Sequence, residues 1–282
     1  MTRTWFITGA NRGLGRAFTT AALAQGDRVV ATVRNPATMA DLQHDLLTVL
    51  TLDVRDRERV IDTVNTAFAT TGRIDVIVNN AGYGLVGAVE ELTEAQIRDQ
   101  MDTNFYGALW VSQAAVPHLR AQGSGHIVQI STVGAVGSLP LFSMYNASKW
   151  ALEGFSASLA DELRPFGIHL TLAQMGGFDT DWAKSSMKFG TELPAYTEQR
   201  RALFGMPDYW GPLFESADGE TPPVESTEPG PEVAAAEILA LVAMPNPPVR
   251  KVIGPGAQQM VTMALDARRQ DYATDPEFTW PA

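Results

Sequence analysis

Cysteine is absent from this chain of 282 residues, and histidine occurs only four times. Without cysteine there is no disulfide, thiolate metal ligand or cysteine nucleophile, and a reducing compartment fits that absence. The histidines are scattered without metal-ligand spacing, and no G-x-S-x-G segment provides a serine nucleophile elbow. We therefore expect neither metal catalysis nor serine hydrolysis.

Basic residues and long apolar runs are also scarce. The chain has 21 Lys and Arg against 32 Asp and Glu, a net charge of −11, which disfavours nucleic acid and anionic membranes as partners. The longest apolar stretch, residues 233–244, is interrupted by Glu237 and is shorter than the ~18 residues of a transmembrane helix. The chain starts directly with a strand pattern, which leaves no room for a signal peptide. We expect a cytoplasmic protein.

What the chain does contain is an alternation of short apolar runs with longer helical patterns. The predicted strands cover residues 5–7, 29–33, 47–54, 75–79, 126–130, 169–174 and 249–253, and the predicted helices cover 13–25, 36–46, 56–71, 93–121, 145–166 and 231–244. Apolar runs without clean alternation suit strands that are buried on both faces, and helices between them indicate βαβ units. This pattern predicts an α/β fold, a doubly wound, mostly parallel sheet with helices on both faces, as one domain over residues 1–282.

The alternation stops over residues 181–231, which are rich in aromatic residues, proline and acids. We interpret this segment as a substrate lid inserted in the domain, since long irregular segments are often functional. Its aromatic residues are Trp182, Phe189, Tyr196, Phe204, Tyr209, Trp210 and Phe214. They either line a large apolar pocket or simply pack the lid onto the core.

A glycine-rich turn, Gly9-x-x-x-Gly13-x-Gly15, joins the first strand to the first helix. Glycine permits a tight turn and a close approach of backbone to a pyrophosphate, which the helix N-terminus attracts. The turn therefore predicts a dinucleotide site. A plain strand–helix turn is the alternative interpretation.

Two arginines bear on the choice of dinucleotide. An acid ~20 residues after the turn would bind the ribose 2′-hydroxyl of NAD, but Val33 stands there, followed by Arg34. Arg12 and Arg34 suit a 2′-phosphate, which favours NADP(H) over NAD(H), unless Arg34 is merely solvated. Asp53 and Val54 could hold the adenine edge, or Asp53 could cap the helix that starts near Asp56.

Tyr145 and Lys149 lie one turn apart on one face of a predicted helix. A nearby ammonium favours tyrosinate, so we expect Lys149 to lower the pKa of Tyr145 from its usual value near 10 and to create a general acid/base. Ser131 and Thr132 end the preceding strand, where a hydroxyl faces the ligand crevice. Asn104, in the middle of a predicted helix, is either functional or a satisfied polar core residue.

Together these motifs resemble the short-chain dehydrogenase/reductase family, in its NADP-preferring type. The matching motifs are Thr8-Gly9-x-x-x-Gly13-x-Gly15, Asp53-Val54, Asn79-Asn80-Ala81-Gly82, Asn104 with Gly107, Ile130-Ser131 and Tyr145-x-x-x-Lys149. The resemblance implies a Rossmann-like sheet of about seven strands that binds NAD(P)(H). It runs from about residue 4 to 180 and resumes near residues 231–256.

The resemblance also implies residue roles. Tyr145 would exchange a proton with the substrate oxygen, Lys149 would lower the tyrosine pKa and hold the nicotinamide ribose, and Asn104 would anchor a water. Cofactor binding would fall to Gly9, Asn11, Arg12, Gly13, Leu14, Gly15, Arg34, Asp53, Val54, Asn80, Ala81, Gly82, Tyr145, Lys149, Gly176 and Thr180. The hydride belongs to the cofactor.

Two positions depart from the family pattern. The usual catalytic serine is replaced by Thr132, so position favours Thr132 and chemistry favours Ser131. The usual Pro-Gly after the sixth strand is replaced by Met175-Gly176.

The sequence predicts an NADP(H)-dependent oxidoreductase that interconverts a carbonyl and a secondary alcohol on a bulky apolar small molecule. The alternatives are a redox-neutral epimerase or dehydratase that uses the same cleft, and a non-catalytic nucleotide sensor. The resemblance also implies a homodimer or homotetramer, formed through the two long helices.

Overall fold

The computed structural model describes residues 2–180, 186–210 and 227–280. Its strands are β1 (Thr4–Thr8), β2 (Arg28–Val33), β3 (Leu47–Thr51), β4 (Val76–Asn79), β5 (Leu85–Val86), β6 (Gly125–Thr132), β7 (Ile168–Met175), β8 (Lys188–Phe189) and β9 (Arg250–Ile253). Its α-helices are α1 (Gly13–Ala24), α2 (Arg57–Thr71), α3 (Glu94–Met101), α4 (Gly107–Gln122), α5 (Ser143–Leu163), α6 (Thr197–Phe204), α7 (Pro231–Val242) and α8 (Ala257–Ala273). Among these residues no helix is both long and apolar enough to cross a membrane.

Seven strands form one parallel sheet in the order β3-β2-β1-β4-β6-β7-β9. The chain moves outward from β1 through β2 and β3, and then continues with β4 on the other side of β1. Because the strand order reverses between β1 and β4, a crevice forms there at the carboxyl ends of the strands. The predicted α/β fold class is confirmed, and ligand chemistry is expected at that crevice.

The sheet is buried on both faces because its strands are apolar throughout. Along β1, Trp5 and Ile7 belong to the apolar layer that includes α1 and α7, whereas Phe6 belongs to the layer that includes α2, α4 and α5. All three side chains are fully buried. Two packed layers of helices therefore hold the strand ends in fixed positions around the crevice.

The predicted helix over residues 36–46 is wrong. Only a 3₁₀ turn forms there, Pro36–Met39. Polar side chains satisfy the backbone locally, since the Asn35 side chain accepts from the amide of Ala37, and the His44 ring accepts from the amide of Leu46. Such bonds compete with helical ones. The strand predicted over 47–54 also ends earlier, at Thr51.

The helix predicted over residues 93–121 begins as expected, because Thr93 and Gln96 form a capping box. It is then interrupted by a π-helical turn, Asp102–Tyr106, before α4 begins. Asn104 lies in this turn. π-helical turns are rare, and those that interrupt an α-helix frequently lie at functional sites.

Part of the predicted lid lies within the described residues, whereas residues 181–185 and 211–226, with Trp182 and Phe214, lie outside them. In the described part, β8 pairs with β5, and α6 follows. Phe189, Tyr196, Phe204, Tyr209 and Trp210 pack into one apolar cluster that includes Phe142 and Tyr145. Neither β5, β8, α6 nor α8 had been predicted from the pattern.

Candidate active site

A cavity lies over the carboxyl ends of the parallel strands. It is lined by most of the predicted site residues: Gly9, Asn11, Arg12, Gly13, Leu14, Arg34, Asp53, Val54, Asn80, Ala81, Gly82, Ser131, Thr132, Tyr145, Lys149, Gly176 and Thr180. Gly15 and Asn104 lie behind this lining. The fold therefore brings residues that are separated by up to 171 positions into one cleft.

The glycine turn depends on residues that lack a side chain. Gly9 has a φ of +64°, and a Cβ on Gly15 would lie 2.3 Å from the carbonyl oxygen of Gly9. Asn80 donates its amide to the carbonyl oxygens of Thr8 and Gly9, both at 3.0 Å. The turn is therefore held close to β4, and the backbone at the start of α1 faces the cavity.

The start of α1 suits a phosphate. Arg12 precedes the helix and makes no side-chain cap to it, so this side chain does not satisfy the amides of the first turn. Thr180 lies against the turn, since a Cβ on Gly13 would be 3.6 Å from the Thr180 Cβ. Arg12 and Arg34 are both exposed at the rim of the cavity. This combination of glycine cradle, helix N-terminus and two guanidinium groups fits a dinucleotide with its phosphates.

Asp53 does not cap the following helix. That role belongs to Asp56, whose side chain accepts from the amide of Arg59 at 3.1 Å. Asp53 instead accepts from the Arg55 guanidinium, with the Nε–Oδ1 distance at 2.9 Å. This hydrogen bond lowers the pKa of Asp53 below its usual range. Asp53 is thus a fixed carboxylate at the edge of the cavity, close to Val54.

A charge cluster around Asp99 had not been predicted. Asp99 accepts hydrogen bonds from Tyr83 Oη at 2.7 Å, from Lys188 Nζ at 2.7 Å and from Arg55 Nη1 at 2.5 Å. Although partial burial raises the pKa of Asp99, bonds from Lys188, Tyr83 and Arg55 outweigh it and bring the pKa to about 2. The four side chains come from distant segments, so no local pattern pointed to them. They connect the Asp53 side of the cleft to β8.

Tyr145 and Lys149 lie on α5 and are both buried at the base of the cavity. Burial raises the pKa of Tyr145 to about 12, and a hydrogen bond with Thr132 acts against this rise. Burial lowers the pKa of Lys149 to about 8, while the negative charge of Glu153 opposes this fall. The Lys149 ammonium donates to the carbonyl oxygen of Ile130 at 2.8 Å. The expected lowering of the tyrosine pKa is wrong for this structure, because burial dominates.

The two neighbouring hydroxyls at the end of β6 have different partners. Thr132 hydrogen-bonds Tyr145. Ser131 donates its hydroxyl proton to Glu153 Oε1 at 2.8 Å and is only 3% exposed. Of the two side chains, Thr132 is therefore the one that lies beside the tyrosine hydroxyl.

Asn104 forms three hydrogen bonds from the π-turn. Its Oδ1 accepts from the Tyr83 amide at 3.0 Å, and its Nδ2 donates to the Tyr83 carbonyl at 2.9 Å and to Ser148 Oγ at 3.2 Å. The side chain is 1% exposed. Asn104 therefore fixes the loop after β4 against α5, next to Gly82.

Gly176, where the family pattern has glycine after proline, is held by the last strand. Its amide donates to the carbonyl of Ile253 at 2.8 Å, and a Cβ on it would lie 3.0 Å from Ala257 Cβ. Met175 is buried. Pairing with β9 therefore fixes this turn where the proline is missing.

Comparison with known proteins agrees with this geometry. The family model for short chain dehydrogenases matches residues 3–189. An oxidoreductase of Botryotinia fuckeliana, BOA17, is 37% identical over 270 residues, which cover 94% of each chain. A 3-ketodihydrosphingosine reductase of Bacteroides thetaiotaomicron is 33% identical over 254 residues, which cover 89% of this chain and 88% of the other.

Solved structures place the chain in the same class. A short-chain dehydrogenase from Streptomyces avermitilis superposes with a TM-score of 0.84 at 35% identity, covering 97% of this chain and 96% of that one. More distant structures of the same fold are complexes with NADP or with NAD. The chain belongs to the short-chain dehydrogenase family of oxidoreductases.

Proposed function

We propose that this protein is an NADP(H)-dependent oxidoreductase that interconverts a carbonyl and a secondary alcohol. The observation that carries the proposal is the Tyr145 hydroxyl beside Thr132, in one cavity with Lys149 and the glycine turn. A proton donor, a hydrogen-bond donor and a cation then converge where a substrate oxygen can lie. A bound nicotinamide supplies or accepts the hydride at the substrate carbon.

The proton chemistry follows from the ionisation states. Because burial raises the pKa of Tyr145 to about 12, its hydroxyl holds a proton at neutral pH and can give it to a carbonyl oxygen. Thr132 donates a hydrogen bond to that same oxygen as negative charge develops on it. Lys149 stabilises the tyrosinate that remains, and the alcohol leaves with one hydride and one proton added. Oxidation reverses these steps.

The preference for NADP(H) rests on Arg12 and Arg34. Both are exposed at the rim of the cavity, beside the end of β2 and the glycine turn. The nearby Arg55 is ion-paired with Asp53 and Asp99 at the same edge of the cavity. Bidentate bonds from two guanidinium groups would favour a 2′-phosphate over a hydroxyl.

An apolar, bulky substrate is the class that fits the space next to Tyr145. The cluster of Val86, Leu141, Phe142, Tyr145 and Tyr209 is apolar and buried. Met187 of the lid segment packs against this cluster and lines the cavity together with Tyr145. A relative named for reduction of a ketone on a sphingoid chain supports this class by similarity. We propose that residues 181–231 form the lid of a single domain, 1–282. Trimming 183–228 should then weaken substrate affinity, and unchanged affinity would contradict the lid.

We also propose that the chain assembles as a homodimer or homotetramer through the long helices. Tyr106 and Trp150, in the π-turn and on α5, are 39% and 42% exposed and leave ring surface on these elements for a second copy to cover. Sedimentation velocity would test this proposal. A monomer at micromolar concentration would contradict it.

The decisive experiment follows the absorbance of NADPH at 340 nm with a panel of ketones. Tyr145→Phe removes the proton donor and should lower kcat by about 10²–10⁴-fold while leaving NADPH binding intact. Tyr272→Phe is the matched control, because Tyr272 lies on α8, is 52% exposed and does not line the cavity. Turnover without a net change in NADPH would identify the redox-neutral alternative. Tight binding without any turnover would identify the sensor.

A further inference from the structure

Glu153 is a carboxylate buried directly behind the proposed catalytic residues. It lies on α5 one turn after Lys149, and it is 8% exposed. Its Oε1 accepts from Ser131 Oγ at 2.8 Å and from Gln174 Nε2 at 3.0 Å, and its Oε2 accepts from Arg250 Nε at 3.1 Å. One side chain thus connects α5 to the ends of β6 and β7 and to the start of β9.

The segment of β6 that Glu153 holds carries the contacts of the site. Ser131, its direct partner, stands between Ile130, whose carbonyl accepts from Lys149, and Thr132, which bonds Tyr145. A buried hydrogen bond to a carboxylate is strong and directional. Fixing the Ser131 hydroxyl therefore fixes the two neighbouring residues. Thr132 is then the residue whose hydroxyl can bond the substrate oxygen.

The negative charge of Glu153 also acts on the ammonium group of Lys149. Both groups are less than a tenth exposed, so their interaction is weakly screened. Arg250, from β9, is the cation on the far side of Glu153, but its side chain is 50% exposed and partly solvated. The contacts from β6 and β7 are neutral, and Tyr145 is the other ionisable group on this part of α5. The acids Asp53 and Asp99, in the same cavity, are paired with Arg55.

We propose that Glu153 is a positioning residue of the site: its carboxylate fixes the end of β6 that presents Thr132, and its negative charge stabilises the Lys149 ammonium. The catalytic part of this inference rests on the proposed function, whereas the effect on Lys149 exists without any turnover. Burial alone favours a neutral lysine, and Glu153 is the group that opposes it.

The first test measures Lys149 directly, with no substrate. Trace acetylation of Lys149 as a function of pH, followed by mass spectrometry, reports the pKa of its amine. Glu153→Gln keeps the shape but removes the charge, so the pKa of Lys149 should fall by about one unit. Ser131→Ala removes a hydrogen bond of Glu153 but not its charge, and should leave that pKa in place. An unchanged pKa in Glu153→Gln, or an equal fall in Ser131→Ala, overturns the proposal.

Arg250→Met provides a test of opposite sign that keeps the carboxylate of Glu153. Arg250→Met removes a positive charge that offsets the charge of Glu153 at Lys149, so the pKa of Lys149 should stay or rise. A fall in Arg250→Met contradicts the proposal even if Glu153→Gln does not fold. Circular dichroism of each variant establishes that the fold is retained.

The pH profile of turnover then tests the catalytic part. If the ammonium form of Lys149 is needed, kcat falls at high pH, and this alkaline limb should move to lower pH in Glu153→Gln. A purely structural role would lower kcat by the same factor at every pH and leave the limb in place. Inactive wild-type protein would refute the proposed function, while the acetylation result would still decide the effect of Glu153 on Lys149.

Discussion

Thr132 and Ser131 are neighbouring residues that differ by one methyl group, but their hydroxyls have different hydrogen-bond partners and therefore different roles. Thr132→Val replaces the hydroxyl beside Tyr145 with a methyl of similar size, so kcat should fall by about 10²–10³-fold, as for loss of one oxyanion donor. Thr132→Ser should restore most of the rate. The Ser131 hydroxyl bonds Glu153, so Ser131→Ala should lower kcat much less than Thr132→Val does. Steady-state kinetics of the three variants measures this, and a larger loss in Ser131→Ala would reverse the assignment.

Two glycines of the chain form a matched pair for testing the nucleotide turn. A Cβ on Gly15 would lie 2.3 Å from the Gly9 carbonyl and 2.5 Å from Asn80 Nδ2, whereas a Cβ on Gly154 meets nothing within 4 Å. Gly15→Ala must therefore displace the turn, and it should weaken NADPH binding at least tenfold. Gly154→Ala, on α5, should raise the free energy of unfolding by about 0.5–1 kcal/mol. NADPH fluorescence titration and urea unfolding measure both effects, and normal binding by Gly15→Ala would contradict the cradle.

At the scale of single elements, β6 and β7 bury a histidine between them. His126 on β6 is 6% exposed, and its Nε2 lies 2.9 Å from Thr171 Oγ1 on β7. Burial lowers the pKa of His126 to about 3, with smaller contributions from His169 and Arg3. Below pH ~6.5 His126 therefore binds a proton in the unfolded chain but stays neutral in the folded chain.

The contribution of His126 to the free energy of unfolding is therefore fully present above pH ~6.5 and is lost on acidification. The loss from one such group is about 1.4 kcal/mol per pH unit, so about 2 kcal/mol is lost by pH 5. His126→Gln should flatten the dependence in this range, where the carboxyl groups of the unfolded chain are still largely ionised. Urea unfolding at pH 7, 6 and 5 measures the slope. A wild-type slope retained in His126→Gln would assign the effect to other groups.

The helix α6 is attached to the rest of the chain by a buried ion pair. Arg200 Nη1 lies 2.8 Å from Glu91 Oε1, and both side chains are at most 2% exposed. Arg200→Met leaves Glu91 buried without its cation, which should cost about 3–5 kcal/mol and loosen residues 187–210. Arg201→Met, on the same helix, breaks an exposed pair and should cost less than about 1 kcal/mol.

Limited proteolysis of these two variants locates the effect of the pair. Cleavage within residues 187–210 should accelerate in Arg200→Met only, and KM for the substrate should rise while NADPH affinity stays within a few-fold. Equal cleavage in both variants would mean that the ion pair does not hold this segment.

Over the whole molecule, the parts that could be predicted are those whose signal is local. The sheet and its strand sequence followed from apolar runs such as β6, and the Tyr145–Lys149 pair from helical spacing. The Asp99 cluster and Glu153 could not be predicted, because their partners lie on other segments, such as Lys188 and Arg250. The π-turn at Asn104 was equally hidden, since Asn104 bonds the distant Tyr83 backbone and no local pattern indicates that contact.

The net charge of −11 bears on the cofactor preference, which can be measured as a change in the Tm of the whole molecule. An acidic surface repels an anion, so tight NADPH binding requires local compensation, which we assign to Arg12 and Arg34. A ligand at 100 times its Kd stabilises the fold by about 2.7 kcal/mol, or roughly 5 °C in Tm for a chain of this size. At equal concentration NADPH should therefore raise Tm by more than NADH does. The Arg12→Leu/Arg34→Leu double variant should lose the difference and keep the NADH shift, whereas a larger shift with NADH in the wild type would overturn the arginine argument and leave the family assignment intact.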